Sequence, residues 1–263
     1  MPSPPTILIF DSGLGGLTVF REIMKALPDA NYVYAADDAF FPYGAHSEAA
    51  LVERVVPLIA GLIATHKLDL VVIACNTAST LVLPHLRAKF AVPFVGTVPA
   101  IKPACAASKT KHISVLGTEG TVQREYTKAL IRDFARDCHV TLVGSSRLAA
   151  IAEAALREEP VDDAEIAREI APCFAGEGER RTDTVVLACT HYPLLIDHLR
   201  RLAPWPVDWI DPAPAIARRV TDLLGPSSRA PSTGATRTIF TSGVAPSPAL
   251  AAALARFGVR VTA

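Results

Sequence analysis

Two hydrophobic patterns alternate along this chain. Runs at 6–10, 31–37, 68–74, 92–96, 112–117, 139–143, 184–188 and 207–210 are mostly apolar and rich in Val and Ile. Such runs mark strands buried on both faces of a parallel sheet. Between them, apolar positions recur three and four apart. Leu51, Val55, Leu58, Ile59 and Leu62 form one helical stripe, with Ser47 as its cap and Pro57 as an expected kink. Further helices are expected over 17–27, 78–90, from the Thr121 turn to about 136, over 147–158, 163–175 and 214–224, and from the end of the 184–188 run to about 202. Pro99 fits the first turn of another helix. A stretch rich in Pro, Ser, Gly and Ala at 225–235 is the best linker candidate, followed by a strand at 238–241 and a helix at 248–257.

Alternating strands and helices predict an α/β fold with mainly parallel sheets. Periodicity alone fits one long sheet as well as two lobes. At 263 residues the chain is long enough for one large domain or two modest ones. Hydrophobic residues make up 50% and charged residues 20%, the composition of a soluble globular enzyme. Lys+Arg and Asp+Glu each number 26, so no basic stripe argues for nucleic acid or an anionic membrane surface. No apolar run reaches the roughly eighteen residues that span a bilayer. The opening Met1-Pro2-Ser3-Pro4-Pro5 lacks signal-peptide features, so a cytoplasmic location is expected. Five cysteines, none in a C-x-x-C pair, argue against a disulfide framework and structural zinc.

The candidate chemistry lies where strands end. The first strand runs into Asp11-Ser12-Gly13-Leu14-Gly15-Gly16. The G-x-G-x-x-G spacing is missing and no Gly-Lys-Ser/Thr follows, which argues against a nucleotide site. The choice is between a tight turn and contact with a small anionic ligand. The second is favoured because open α/β sheets bind at strand carboxyl ends. Phe40-Phe41-Pro42-Tyr43-Gly44 reads as aromatic packing, with the Tyr43-Gly44 amides as the alternative role.

One local pattern occurs twice. Val71-Val72-Ile73-Ala74-Cys75-Asn76-Thr77 and Val185-Val186-Leu187-Ala188-Cys189-Thr190-His191 each end an apolar strand in a cysteine followed by hydrogen-bonding residues. The repeat points to two similar lobes facing each other, each offering a thiol where a strand gives way to a helix. Helix-start amides and the helix dipole favour a thiolate there. Cys105, Cys138 and Cys173 lack such a setting and read as packing residues. Two thiols on one cavity admit a redox pair, a metal site, or proton exchange on opposite faces of a substrate carbon. No ligand-spaced His/Cys cluster supports a metal. Proton exchange suits paired half-sites best: one thiolate takes an α-proton and the opposing thiol returns one to the other face. Fixed amides and hydroxyls would stabilise the carbanion without a cofactor.

The residues Asp11–Gly16, Pro42-Tyr43-Gly44, Ala74–Ala78, Gly117-Thr118-Glu119-Gly120-Thr121-Val122 and Cys189-Thr190-His191-Tyr192-Pro193-Leu194-Leu195 occur in one order. In this the chain resembles the glutamate racemases of the cofactor-independent aspartate/glutamate racemase superfamily. The resemblance implies Cys75 and Cys189 as the two acid/base residues, with Asp11 assisting Cys75 and His191 assisting Cys189. It implies that Asp11, Ser12, Tyr43, Gly44, Asn76, Thr77, Thr190 and His191 hold the amino acid. Glu153 matches an acidic position serving the second cysteine, with a solvated helix face as its other reading. His191 as a packing residue and Asp11 as a helix cap are the corresponding plain readings.

Two departures from the family pattern stand out: Ser145-Ser146 in place of a common Cys-Pro, and Asp211-Pro212-Ala213 in place of Asp-Ser-Gly. The implied fold is two similar α/β lobes with mainly parallel sheets facing across a central cleft. Residues 1–98 with 209–263 form the first lobe and 99–208 the second. The implied activity is interconversion of L- and D-glutamate for bacterial peptidoglycan, with no cofactor, no metal and a possible homodimer. An aspartate racemase, a one-cysteine decarboxylase and a two-lobed small-acid binding protein are the alternatives.

Overall fold

The computed structural model describes residues 3–226 and 235–259. In chain order it contains β1 (Thr6–Asp11), α1 (Leu17–Ala26), β2 (Asn31–Ala36), α2 (Glu48–Thr65), β3 (Leu70–Ile73), α3 (Asn76–Lys89) and β4 (Phe94–Gly96). Then come α4 (Ile101–Ala107), β5 (His112–Thr118), α5 (Glu119–Gln123), α6 (Glu125–Phe134), β6 (His139–Ser145), α7 (Leu148–Leu156), α8 (Asp163–Ile170), β7 (Thr184–Ala188), α9 (Ile196–Leu202) and β8 (Asp208–Ile210). Last are α10 (Ala213–Leu224), β9 (Thr236–Phe240) and α11 (Pro248–Arg256).

The strands form two separate all-parallel sheets, ordered β4-β3-β1-β2-β9 and β6-β5-β7-β8. The single long sheet is therefore ruled out. The chain divides into a unit up to Thr97 resumed from Ala213, and a second unit, Val98–Pro212. β8 pairs with β7, so residues 208–210 stay together in the second unit, whereas the boundary expected at 208 cuts through this strand.

Counted from its own start, each unit orders its strands second, first, third, fourth; β9 extends the first sheet beside β2. In that order the connections diverge between the first and third strands, and their carboxyl ends border the crevice where such sheets bind ligands. Ile7, Leu8, Ile9 and Phe10 are wholly buried, as are Val71, Val72 and Ile73. Their unbroken apolar character follows from helices covering both faces. In the second unit Val185, Val186, Ile113 and Val115 are buried in the same way.

Several expected helices change at their ends for local reasons. Ser47 does cap α2, accepting from Ala50 N at 3.2 Å, and α2 continues through Pro57. Pro99 lies outside α4, which starts at Ile101; the Ile101 amide donates to the Pro99 carbonyl. The helix expected to reach about 136 is split at Arg124, whose extended backbone separates α5 from α6. Thr127 Oγ1 donates to the Thr121 carbonyl across that break at 2.6 Å. The helix expected over 163–175 stops at Ile170, where Pro172 enters a short 3-10 turn. Of the linker candidate, residues 227–234 lie outside the described residues.

Candidate functional site

Each unit is built upward from its third strand. In the first unit, β3 pairs with β1 so that Phe10 stands opposite Ile73. The Ala74 amide donates to the Phe10 carbonyl at 2.7 Å, bringing Asp11 and Cys75 out at the same sheet edge. Cys75 is the N-cap residue of α3, with extended backbone, and its carbonyl accepts from Ser79 N at 2.8 Å. Its Sγ lies 3.6 Å from Ser12 Oγ. A helix start favours an anion at this position.

Asn76, beside the thiol, is 2% exposed, and both atoms of its carboxamide lack a hydrogen-bond partner among the described residues. An unpaired buried amide costs about 1–3 kcal/mol. A ligand that offers both a donor and an acceptor removes that cost. Thr77, also buried, follows in the first turn of α3.

Asp11 shapes the glycine turn. Its Oδ2 accepts from Gly13 N at 3.2 Å and from Gly16 N, the residue before α1, at 2.9 Å, so these bonds hold the loop that leads into the helix. A Cβ on Gly16 would fall 2.8 Å from Asp11 Cβ and 3.2 Å from Ala74 Cβ, which restricts this position to glycine. Ser79 Oγ and Thr97 Oγ1 both donate to the Ile73 carbonyl, at 2.8 and 3.1 Å, and Thr97 N donates to Ser79 Oγ. These residues fix the strand end ahead of Cys75. The sequence reading missed them, because a buried Ser and Thr eighteen residues apart carry no local pattern.

Tyr43 and Gly44 lie in a short 3-10 turn, Tyr43–Ala45. The Tyr43 ring packs in the same core cluster as Cys75, and its hydroxyl donates to Asp37 Oδ2 at 2.6 Å. The packing role of its side chain is therefore real. Asp37 is fully buried at the end of β2 and also receives Arg54, at 2.6 and 3.1 Å, and Thr241 Oγ1 at 2.7 Å. Burial pushes the Asp37 carboxyl up, but hydrogen bonds from Arg54, Tyr43 and Thr241, with the Arg54 charge, outweigh it and hold the group below its ordinary value. The Tyr43 phenol is driven upward by burial and by Asp37. Asp37 and Arg54 are further residues the sequence reading did not single out.

In the second unit, β7 pairs with β5, Gly117 standing opposite Ala188. Cys189 follows at the carboxyl edge, 7% exposed. The expected α-helix does not follow it directly: Tyr192–Leu195 form a 3-10 turn before α9 begins. Pro193 lies in the first turn of that element, where its missing amide proton costs nothing. What stands beside this sulfur is a line of side chains. Cys189 Sγ is 3.8 Å from His191 Nδ1; His191 Nε2 is 3.1 Å from Glu153 Oε1; Glu153 Oε2 receives Arg157 Nη2 at 2.6 Å. Glu153 is buried on α7, so it is not a solvated helix residue, and buried His191 is tied to both the thiol and the carboxylate. Thr190 is buried between Cys189 and His191.

Ser145 holds the start of the helix that bears Glu153. It accepts from Leu148 N at 2.9 Å and Arg147 N at 3.2 Å, and donates to Glu169. The other three cysteines pack. Cys105 belongs to the second core and Cys138 lies against it, while Cys173 is wholly buried. Burial pushes the Cys105 and Cys173 thiols up to about 12, with Cys138 adding to the rise at Cys105.

A family model described as Asp/Glu/hydantoin racemase matches residues 12–220 of the chain. A protein of Brucella anthropi named glutamate racemase is 59% identical over 221 residues, covering 84% of this chain and 80% of that protein. Its namesake in Brucella ovis is 58% identical over 230 residues, 85% and 83% of the two chains. The crystal structure of Escherichia coli glutamate racemase, in complex with L-glutamate and the activator UDP-MurNAc-ala, superposes with a TM-score of 0.89. It is 42% identical and covers 98% of this chain and 97% of that one.

Proposed function

Because the chain belongs to the Asp/Glu/hydantoin racemase family and is a racemase, we propose that it interconverts L- and D-glutamate by a two-thiol mechanism without a cofactor. One observation carries the mechanism: two units of the same strand order each end the third strand in a buried cysteine. The glutamate assignment draws on the relatives, which carry that name at 57–59% identity.

In this reading one thiolate removes the α-proton and the other thiol delivers a proton to the opposite face of the planar carbanion. For the reverse reaction they exchange roles. Asp11 and Ser12 assist Cys75. His191, oriented by Glu153, assists Cys189. Asn76, Thr77 and Thr190, with the Tyr43-Gly44 backbone, hold the amino acid and its developing negative charge. The mechanism requires both sulfurs to reach one α-carbon from opposite sides, one from the unit up to Thr97 resumed at Ala213 and one from Val98–Pro212. We place the enzyme in the cytoplasm, as a homodimer supplying D-glutamate to peptidoglycan.

The test is incubation with each glutamate enantiomer in deuterated water, followed by circular dichroism and NMR. Wild-type protein should lose optical rotation and gain α-deuterium from either enantiomer. Cys75→Ser and Cys189→Ser should each lower turnover by about 10²–10⁴-fold or more. Unchanged racemisation in either variant refutes the two-thiol assignment. Turnover of aspartate in preference to glutamate refutes the substrate.

A further inference from the structure

Beside the second thiol, Glu153 on α7 and Arg157 just past its end stand one turn apart, and nothing in the proposed chemistry uses Arg157. Glu153 divides its oxygens: Oε1 meets His191 Nε2 at 3.1 Å, and Oε2 receives Arg157 Nη2 at 2.6 Å. The Glu153 side chain is 6% exposed and that of Arg157 35%. The guanidinium therefore stands at the boundary between the buried line and water.

We propose that Arg157 is a positioning residue for proton transfer at Cys189, acting through Glu153 and His191. The reading rests on the racemase function proposed above. A carboxylate held at one oxygen alone can rotate about its last torsion, which is a broad, soft one. Pinning Oε2 removes that freedom and fixes where Oε1 presents itself to the imidazole. The imidazole in turn presents Nδ1 to the sulfur, 3.8 Å away. The pair also has the favourable helical order, with Glu four residues ahead of its cation. The helix itself is anchored independently, by Ser145 at its first turn. Loss of Arg157 should therefore loosen the Glu153 carboxylate without unwinding α7.

In the first unit, the Ser12 hydroxyl lies 3.6 Å from the Cys75 sulfur. Damage from losing Arg157 should fall on one thiol only, and that makes the role separable from general weakening. When transfer at Cys189 slows, the isotope effect with α-deuterated substrate should rise for the enantiomer that Cys189 deprotonates. It should fall for the other enantiomer, whose deuterium goes to Cys75 before the slow step.

The experiment compares wild type, R157M, R157K, E153Q and the E153Q/R157M double variant on both glutamate enantiomers, with α-protonated and α-deuterated substrate. R157M should lower kcat by about tenfold with KM nearly unchanged, within the ~10²-fold that a small misplacement at a reacting centre can cost. Its isotope effects should move in opposite directions for the two enantiomers, and R157K should recover most of the rate. The double variant should be no slower than E153Q, because both changes break one line. R157Q replaces R157M should the latter lower the melting temperature. A kcat within twofold of wild type, isotope effects that move together, or additive losses in the double variant each overturn the positioning role. Wild-type protein that fails to racemise glutamate overturns the function itself, and this role with it; racemising wild type with an indifferent R157M overturns only the role of Arg157.

Discussion

The two units share a strand order and a cysteine past the third strand, yet they equip that cysteine differently. Cys75 stands at the start of a fourteen-residue helix, whose dipole favours an anion there, with the Ser12 hydroxyl 3.6 Å from its sulfur. Cys189 precedes a 3-10 turn, and its neighbourhood is a row of side chains, His191, Glu153 and Arg157. The same fold position is thus a long-helix start with a nearby hydroxyl in one unit and the end of a charged side-chain line in the other. A helix dipole survives most substitutions nearby, whereas a row of side chains fails when one link is removed.

The largest effect that tests this contrast comes from removing one assisting side chain on each side. His191→Ala should reduce turnover by about 10²–10³-fold, the range expected for loss of a positioned proton-transfer group. Ser12→Ala removes a hydroxyl 3.6 Å from Sγ but leaves the α3 amides in place, and should cost about tenfold or less. Initial rates with both glutamate enantiomers measure each loss. Equal losses, or a larger one at Ser12, would show that the two thiols are supported in the same way and break the contrast.

The sequence made the strands and the two cysteines plain because each is a local pattern: an apolar run, then Cys, then hydroxyl or amide residues. Asp11–Gly16 was legible for the same reason. The difference between the two half-sites was not. The helix start at Asn76 and the 3-10 turn after Cys189 follow similar local patterns, and the difference lies in how the chain packs beyond each cysteine. Glu153 was a candidate with a solvated alternative, since a helix position says nothing of what faces it; the bond to His191 bridges 38 residues. Asp37 drew no notice because its partners, Tyr43, Arg54 and Thr241, converge from three segments. The Glu153–Arg157 spacing, by contrast, was readable as an i,i+4 pair.

A smaller effect comes from two glycines, Gly16 at the start of α1 in the first unit and Gly117 near the end of β5 in the second. At Gly16 an added Cβ would press on Asp11 Cβ at 2.8 Å, an atom close to the main chain. Gly16→Ala should cost about 1–3 kcal/mol of stability by overpacking and displace the Asp11 carboxylate. At Gly117 the nearest atoms are Val122 Cγ1 at 3.2 Å and Ala188 Cβ at 3.3 Å, which yield by a few tenths of an ångström. Gly117→Ala should cost less, about 1 kcal/mol or below. Urea unfolding read separately by activity and by circular dichroism would compare the two. A Gly117→Ala cost equal to that of Gly16→Ala would show that crowding at the start of α1 is no greater than near the end of β5.

The smallest effect at neutral pH, and the one with a definite sign, concerns one carboxylate in each unit. Asp37 in the first and Asp183 in the second are both held below the ordinary carboxylate range. In each, burial pulls the other way and is outweighed. At Asp37 the opposing groups are Arg54, Tyr43 and Thr241; at Asp183 they are the Ser108 hydroxyl, the Thr110 and Lys109 amides and the Thr184 hydroxyl. A carboxyl whose folded pKa is depressed contributes stability that is present above its unfolded value, near 3.9, and is lost as pH falls through the folded value. Urea midpoints of wild type should therefore fall as pH drops from about 4 toward 2, and the gap between wild type and Asp37→Asn should close over the same interval. Asp183→Asn should behave likewise with a smaller gap, because its partners are neutral and the residue is half-buried, whereas Asp37 is fully buried and bears on a guanidinium. A gap at Asp37 that persists unchanged to pH 2 would mean that its charge contributes nothing and that hydrogen-bond geometry alone holds Tyr43 in place.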